Sequence, residues 1–372
     1  MNKVFLADPG SDAPAIGRSM KVYLAADGLD RKPLRPLRPL RILLSYHYYK
    51  DEDVAKLLHD CFEGIELDVF ADSGAYSAWS VGQPVPEDAY IAWVQKWAAC
   101  FDAVAGPDVI GDPVQTFAAT ERMRSQVTAM PVLPVFHVGE DWTWLKKIVD
   151  TGADYIAFGG MVPYTRQRKL LDSWLRKAWS FLPETMRVHG FGMTTWPLLI
   201  KYPWYSVDSS SWTSGFRYAQ IALFDSQRGR FIGINMGDRK ELLANAKLLS
   251  TYGMRPSEAT ADGYDRDLLC GVCVESWQRA EAWLSDRHVY LSCGSVPAGS
   301  GSGHASSVGA GVRAYLSAGS EKIEGAPNRP EGIARDPARY LRDSKVFLSV
   351  GAGAGAGNHP VEIGRALRKD RS

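Results

Sequence analysis

Three aspartates stand at or just beyond the ends of short apolar runs: Asp72, Asp108 and Asp208. Each run is rich in β-forming residues, so each carboxylate is expected at the carboxyl end of a strand, where α/β enzymes keep their chemistry. Residues 206–212 show this most clearly, because the run ends on Asp208 and three serines follow at once. The competing explanation for Asp208 alone is a helix N-cap. The recurrence of the pattern favours a catalytic carboxylate.

The segments that must position these carboxylates alternate between strand and helix. Strands are predicted at 21–25, 42–46, 67–71, 101–105, 132–136, 155–158, 187–191 and 204–207. Helices are predicted at 51–62, 87–100, 113–130, 141–151 and 166–181, with a short one before residue 203. Such alternation implies parallel strands with helical crossovers. About eight strands favour an α/β fold of the closed (β/α)8 TIM type. An open doubly wound sheet is the alternative, but no dinucleotide fingerprint follows the first strand.

The regular alternation ends after Asp208. Residues 218–224 and 230–235 predict a hairpin inserted near the barrel mouth, and residues 240–252 and 268–284 predict helices. We therefore assign residues 1–293 to the barrel, with 240–293 as its C-terminal subregion. Residues 294–372 are rich in Gly, Ser and Ala and predict a poorly ordered tail.

Composition limits the class of protein. The chain has 372 residues and a formal net charge of +1, which disfavours binding of nucleic acid through bulk charge but leaves room for a local basic groove. Five cysteines at irregular spacing, with no signal-like segment in residues 1–25, predict a reducing cytoplasm. No apolar run approaches membrane-spanning length, so no membrane partner is expected.

A barrel would gather the strand-end residues at one mouth. The candidate site residues are Asp72, Ser73, Gly74, Tyr76, Asp108, His137, Gly159, Gly160 and Asp208. Carboxylates in one pocket can share a metal, divide into acid and base, or supply a nucleophile. Two aspartates on separate strands suit glycoside chemistry, in which one carboxylate attacks the anomeric carbon and the other handles protons.

The order of these motifs resembles that of the tRNA-guanine transglycosylases. The motifs are Asp72-Ser73-Gly74-Ala75-Tyr76-Ser77, Asp108, His137-Val138-Gly139, Gly159-Gly160-Met161, Gly190-Phe191-Gly192-Met193-Thr194 and Val207-Asp208. The similarity covers roughly residues 21–212. The looser details look more like the DpdA branch, often phage-encoded, which places 7-deazaguanine bases in DNA.

The resemblance implies a role for each matching residue. Asp208 would be the nucleophile that attacks C1′ of a guanine nucleotide and holds a covalent glycosyl intermediate, and Asp72 would be the general acid/base. Asp108 would bind the Watson–Crick edge of the base, near backbone groups of Gly159 and Gly160. The motif neighbours Ser73, Gly74 and Tyr76 would line the base site, with Tyr76 available to stack on a base that has left its helix. His137 stands where the family has a Gln, so a base contact and a structural histidine are both open.

The chain departs from the family at its zinc site. The family carries Cys-x-Cys-x-x-Cys with a distant His, whereas Leu268 stands here in place of the first Cys. Cys270, Cys273, His288 and Cys293 could complete four ligands for a structural zinc at an unfamiliar spacing. Buried cysteines on a helix are the favoured interpretation. The chemistry itself requires no cofactor.

The predicted function is therefore a base-exchange glycosyltransferase that replaces guanine in DNA with a 7-deazaguanine such as 7-cyano-7-deazaguanine (preQ0). DNA is favoured over tRNA because no recognisable tRNA-binding appendage follows the barrel, and accessory modification proteins are further candidate partners. Three alternatives remain: the same reaction on tRNA, a hydrolase of a sugar or nucleoside, and a non-catalytic nucleic-acid-binding barrel.

Overall fold

The computed structural model describes residues 3–4, 20–25, 36–183, 185–213, 215, 218–285 and 347–348. The chain divides into two compact units. One comprises Lys21–Trp196 and Trp204–Trp283, and the other comprises Met1–Met20, Pro197–Pro203 and Leu284–Ser372. The first unit contains all the predicted site residues that the structure describes. His288, Cys293 and the predicted tail, apart from residues 347–348, lie outside the described residues.

The strands are β1 Lys3–Val4, β2 Lys21–Ala25, β3 Leu40–Ser45, β4 Leu67–Asp72, β5 Ala103–Ala105, β6 Val132–Leu133, β7 Val135–His137, β8 Tyr155–Gly159, β9 Arg187–Gly190, β10 Ser206–Ser209, β11 Gln220–Asp225, β12 Arg230–Asn235 and β13 Phe347–Leu348. The α-helices are α1 Tyr46–Tyr49, α2 Val54–Phe62, α3 Ala75–Ser80, α4 Glu87–Lys96, α5 Pro113–Gln126, α6 Trp142–Asp150, α7 Arg168–Phe181, α8 Trp196–Lys201, α9 Arg239–Ala244, α10 Ala246–Ser250 and α11 Arg266–Ser285.

Nine parallel strands form a nearly closed TIM-type barrel, which confirms the predicted fold. Their order is β6-β5-β4-β3-β2-β10-β9-β8-β7, so β2 and β10 pair in parallel and join the two ends of the series. The apparent gap between β6 and β7 is the single residue Pro134, which has no N–H for a ladder. β6 pairs with β5 while β7 pairs with β8, so residues 132–137 together occupy the place of one strand in the barrel wall.

Strand alternation points the site residues into the barrel. Side chains two apart on a strand share a face, so Asp72 lies on the face of Phe70, and Asp208 lies on the face of Ser206. The interior face mixes bulky and small side chains, as a tapering barrel requires. Its buried cluster comprises Tyr23, Leu43, Phe70, Ala103, Ala105, Leu133, Val135, Tyr155 and Ala157.

Local capping explains where the outer helices begin. Asp112 caps α5 by accepting from Val114 N and Gln115 N, and Pro113 occupies the first helical position. Asp141 caps α6 in the same way through Thr143 N. Aromatic rings hold two outer helices against β7: Phe136 packs on Trp142 of α6 at 5.6 Å between centroids and stacks on Trp174 of α7 at 5.7 Å.

Helix α11 completes the hydrogen bonding of the barrel wall. The β2–β3 ladder starts only at Leu24, so Val22 N–H donates instead to Glu281 Oε2 at 2.9 Å. Glu281 also pairs with Arg41, which contacts Asp68. Gln278 accepts from Leu37 N at 2.8 Å and donates to Arg38 O at 3.2 Å. The predicted helix at 268–284 thus acts as part of the barrel.

Several predicted boundaries were wrong for identifiable reasons. The predicted strand at 132–136 is split by Pro134, and the predicted helix at 240–252 is two helices that meet at Asn245, the C-cap of α9 and the N-cap of α10. The predicted helix at 87–100 ends at Lys96 and continues as a 3-10 turn, Ala98–Cys100. The last barrel strand begins at Ser206, so Asp208 lies inside it.

The predicted hairpin is confirmed as the antiparallel pair β11 and β12. Among the described helices, none combines the length and apolar character needed to cross a bilayer.

We predict that Glu281→Ala lowers the free energy of unfolding by about 2–4 kcal/mol, because it strips a buried N–H and a buried guanidinium of their shared acceptor. The Glu281 side chain is only 4% exposed. Urea denaturation followed by circular dichroism measures the change.

The matched control is Glu275→Ala on the same helix, which removes a partly exposed pair with Arg279. Its expected cost is within about 1 kcal/mol. Equal losses for the two variants would contradict the assigned role of Glu281.

Candidate active site

Asp72 is the last residue of β4 and its carboxylate is held by the turn that follows. Its Oδ2 accepts from Gly74 N–H at 3.0 Å. Gly74 has φ of 72°, and a Cβ there would lie 2.3 Å from Ser45 Oγ and 2.5 Å from the Cβ of His47. Only glycine lets the chain pass so close to the end of β3 in the left-handed region. The Asp-Ser-Gly sequence therefore forms a turn in which the N–H of Gly74 donates to the Asp72 carboxylate.

The environment of Asp72 favours its protonated form. Burial raises the pKa of Asp72, and the negative charges of Asp208 and Asp108 raise it further against the opposing hydrogen bond from Gly74, to about 7. This carboxyl group can therefore give and take a proton near neutral pH.

Asp208 is held through one of its two oxygens. Its Oδ1 accepts from Gly192 N–H at 2.7 Å, and His189 Nε2 lies 3.4 Å from the same oxygen. Within the described part of the chain, Oδ2 has no hydrogen-bond partner. The contact is to the loop after β9, not to the turn Ser211–Thr213 that follows Asp208, so Asp208 does not serve as a cap for that turn. A carboxylate fixed by one oxygen leaves the other available to react.

Asp72 and Asp208 belong to one mouth. Both stand at the carboxyl end of parallel barrel strands, and Asp208 is close enough to raise the pKa of Asp72. The pair combines a proton-exchanging carboxyl group with a second carboxylate that is held by a backbone N–H. This division of labour is the one that retaining glycosyl transfer uses.

The third aspartate, Asp108, is engaged by a histidine between two acids. His137 Nε2 lies 2.9 Å from Asp108 Oδ2, and His137 Nδ1 lies 3.0 Å from Glu140 Oε1. Glu140 Oε2 also accepts from His137 N–H at 3.0 Å. Burial opposes a charge on this ring, but the hydrogen bonds to Asp108 and Glu140 outweigh it and raise the pKa of His137 to about 10. His137 is therefore an imidazolium at neutral pH.

Of the two roles left open for His137, this arrangement favours the structural one. Both ring nitrogens already face carboxylates, so His137 presents no spare donor to a base and instead orients Asp108. The remaining oxygen of Asp108, Oδ1, is 3.4 Å from Thr116 Oγ1, a long contact that a stronger donor could replace.

The Gly159-Gly160 pair makes room for that histidine. A Cβ on Gly159 would lie 2.7 Å from His137 Cδ2, and Gly160 has φ of 68°. The carbonyl of Gly159 accepts from Val138 N–H at 3.1 Å, so it already has a partner. The structure thus explains these glycines through His137, while their predicted contact with a base stays a prediction.

The remaining predicted residues differ in exposure. Ser73 is buried and its Oγ accepts from Ala75 N–H at 3.3 Å, which gives it a local turn role. Tyr76 is 56% exposed on α3 and lies beside the exposed Trp79, with ring centroids 6.3 Å apart. These two exposed rings lie on the helix that follows Asp72 in the chain and are available for stacking.

Three residues of the site were missed from the sequence: Glu140, His189 and Ser206. Glu140 follows His137 by three residues in a tight turn, a spacing that could have been noticed. His189 and Ser206 are buried polar residues in strands and occupy paired positions in the β9–β10 ladder. For Ser206, the sequence did offer a clue: side chains two residues apart on a strand lie on the same face, so Ser206 had to share a face with Asp208.

The predicted zinc ligands are only partly described. Cys270 and Cys273 are buried on α11, as the helix interpretation expected. Burial, and then the neighbouring Cys270, raise the pKa of the Cys273 thiol to about 12. His288 and Cys293 lie outside the described residues. Within the described ranges, no three His, Cys, Asp or Glu side chains are grouped to hold a metal ion. A zinc site therefore stays a prediction.

Comparison with known proteins adds no family assignment, because no protein-family model and no curated protein sequence matches the chain.

We predict that NMR titration of His137 finds it protonated at pH 8, because its pKa lies near 10. The pKa is raised above the usual histidine value of 6.5, so the stabilisation is complete below pH 6.5 and is lost as the pH rises toward 10. Glu140→Gln removes one carboxylate partner and should lower that pKa. The ring signals of His59, on the separate helix α2, serve as an internal chemical-shift reference for the spectra. A His137 resonance that titrates near 6.5 would contradict the ion-pair geometry.

Proposed function

We propose that the protein is a base-exchange glycosyltransferase that replaces guanine in DNA with a 7-deazaguanine base. The observation that carries the proposal is the pair at the mouth: Asp208 is held through Oδ1 alone, and Asp72 beside it has a pKa near 7. The order of the motifs, which resembles that of the guanine transglycosylases, supports the choice of guanine.

In the first step, Asp208 Oδ2 attacks C1′ of the target nucleotide. The C1′–N9 bond breaks, its electron pair leaves with guanine, and Asp72 supplies the proton that neutralises the departing base. The product is a glycosyl ester on Asp208. A pKa near 7 lets Asp72 be protonated at this stage without a large cost.

In the second step, the incoming base reverses the sequence. Asp72, now a carboxylate, takes the proton from N9 of the deazaguanine, and N9 forms the new bond to C1′. The ester bond breaks and its electron pair returns to Asp208. Atoms and charges balance without water, metal or redox partner, so only an incoming base is needed.

Asp108 suits recognition of the base. A carboxylate accepts hydrogen bonds from the N1–H and N2–H groups on the Watson–Crick edge of guanine, which 7-deazaguanines share. The imidazolium of His137 pairs with Asp108 and supports its negative charge. Adenine presents an acceptor at N1, so its edge does not match.

An exposed basic cluster supports a nucleic-acid substrate. Arg166, Arg168 and Lys169 are exposed in and just after the loop that follows β8. None of them contacts a carboxylate within the described residues. The same loop reaches the site, since a Cβ on Gly192 would lie 2.5 Å from Val162 Cγ2. Three cations without acidic partners at this rim suit a phosphate backbone, despite the near-neutral total charge.

The direct test supplies purified protein with DNA and labelled 7-cyano-7-deazaguanine. We expect label in DNA and release of guanine, with a loss of at least about 10⁴-fold in Asp208→Asn, as when a covalent nucleophile is removed. Asp72→Asn should lose about 10²–10⁴-fold. In the wild type, guanine release should slow above pH 7, where Asp72 loses the proton that the departing base needs. Mass spectrometry of nucleosides measures incorporation.

Three outcomes would redirect the proposal. Label in tRNA with unmodified DNA would change the substrate. Free guanine without incorporation would indicate a hydrolase. Binding of DNA with no turnover in any arm would favour a non-catalytic barrel.

We predict that Arg166, Arg168 and Lys169, changed together to Ala, weaken DNA binding and reduce its salt dependence. Loss of three phosphate contacts should lower the slope of log affinity against log salt by about 2–3. Fluorescence anisotropy at several salt concentrations measures both. The control is Lys146→Ala, which removes a cation already paired with Asp150. An unchanged slope in the triple variant would remove this surface from the proposal.

A further inference from the structure

A line of buried polar groups runs through the barrel interior to the back of Asp208. Tyr155 on β8 lies with its hydroxyl 2.5 Å from Ser206 Oγ on β10, and Ser206 Oγ lies 2.6 Å from His189 Nδ1 on β9. The other ring nitrogen, His189 Nε2, is 3.4 Å from Asp208 Oδ1. Polar groups in an apolar interior are costly unless paired, so a continuous line that ends at a reactive carboxylate calls for an explanation.

Packing fixes the plane of the His189 ring. It is fully buried and stacks on Phe70, with centroids 4.5 Å apart and planes at 19°. Phe191 meets it edge-on at 4.6 Å. Within the described part of the chain Nε2 has no hydrogen-bond partner, and Asp208 Oδ1 at 3.4 Å is the acceptor it faces. A small shift of Asp208 during reaction would bring the two into hydrogen-bond range.

The two ends of the line determine its direction. Burial raises the pKa of Tyr155 well above its usual range, so the phenol keeps its proton. Among the described residues, Ser206 Oγ is in hydrogen-bond contact only with Tyr155 and His189. If Tyr155 donates to Ser206, the Ser206 proton is therefore donated to His189 Nδ1, and the ring proton sits on Nε2, facing Asp208. The reverse direction would leave the Tyr155 proton without an acceptor among the described residues and set the Nε2 lone pair against a carboxylate. Electrostatics therefore favours the first direction.

We propose that His189, held as its Nε2–H tautomer by Ser206 and Tyr155, is a positioning residue for Asp208. Gly192 N–H already donates to Oδ1, and His189 would donate to the same oxygen as Asp208 shifts during the reaction, which leaves Oδ2 for the substrate. Both donors stabilise the carboxylate more than its ester. They therefore assist the second step, in which the C1′–O bond breaks and the electron pair returns to Asp208 while the new base bonds to C1′. This kinetic consequence rests on the proposed function, whereas the tautomer does not.

The tautomer is measured directly with ¹⁵N-histidine-labelled protein and long-range proton–nitrogen correlation spectra. The His189 signals are identified by their absence in His189→Gln. We expect a protonated Nε2 and an unprotonated Nδ1 in the wild type, and a mixture of tautomers in Ser206→Ala. A protonated Nδ1 in the wild type would overturn the proposal, whether or not the protein exchanges bases.

The kinetic arm compares two substitutions of the same ring. His189→Phe keeps the stacking on Phe70 but removes the donor, and His189→Gln can place an amide N–H near the Nε2 position. We expect His189→Phe to slow turnover by about 10- to 100-fold, the value of one hydrogen bond to a charged group, and to lower KM for DNA together with kcat, because a slower second step leaves more enzyme in the covalent form. The covalent adduct on Asp208 should accumulate in intact-protein mass spectra. His189→Gln should recover part of the rate.

The control is Tyr23→Phe, which also removes a buried hydroxyl from the barrel interior. Its hydroxyl bonds to Asp68 at 2.7 Å and takes no part in the line to Asp208. We expect full turnover and no adduct in this variant. Equal rate losses in Tyr23→Phe and His189→Phe, or a rate loss without adduct in His189→Phe, would show a structural role and overturn the proposal. If the proposed function itself is wrong, the wild type will exchange no base. The tautomer measurement would then still decide whether His189 presents Nε2–H to Asp208.

Discussion

Repulsion between carboxylates is the constraint on which this site depends. Parallel strands bring their carboxyl ends to one mouth, so Asp72, Asp108 and Asp208 converge there, with Glu140 on the other side of the His137 ring from Asp108. Like charges this close cannot all stay ionised without compensation. Three features of the site reduce this repulsion: a proton on Asp72, an imidazolium beside Asp108, and backbone N–H groups that donate to Asp72 and Asp208. As a result, the three carboxyl groups at this mouth differ in protonation and in hydrogen bonding, so each can take a different chemical role.

These compensations determine much of the surrounding sequence. Gly74 and Gly192 are needed because their N–H groups approach the carboxylates in a backbone region that other residues avoid. Gly159 is needed because the His137 ring occupies the space where a Cβ would stand. The glycine motifs are thus consequences of the charge arrangement. The order of the glycine motifs along the chain can therefore result from the need to accommodate the carboxylates and the His137 ring, and it does not determine which base is bound.

The sequence predicted the fold well because each strand is an apolar run that ends in a polar or glycine motif. It also predicted Asp72, Asp108 and Asp208 at one mouth, since strand ends converge in a barrel. It could not predict the partners. His189 reads as one residue in a buried strand, and its relation to Ser206 depends on the β9–β10 register. Likewise Pro134 and Asn245 break elements through backbone details that hydrophobic periodicity does not report.

The role of Glu281 has a consequence for how the chain is made. β2 and β10 close the barrel, yet Val22 obtains its acceptor from α11, far later in the chain. A nascent chain that has emerged only through β10 therefore contains all nine barrel strands, but the N–H of Val22 in the barrel wall still lacks its acceptor. The barrel wall can therefore be completed during synthesis only after α11 has left the ribosome.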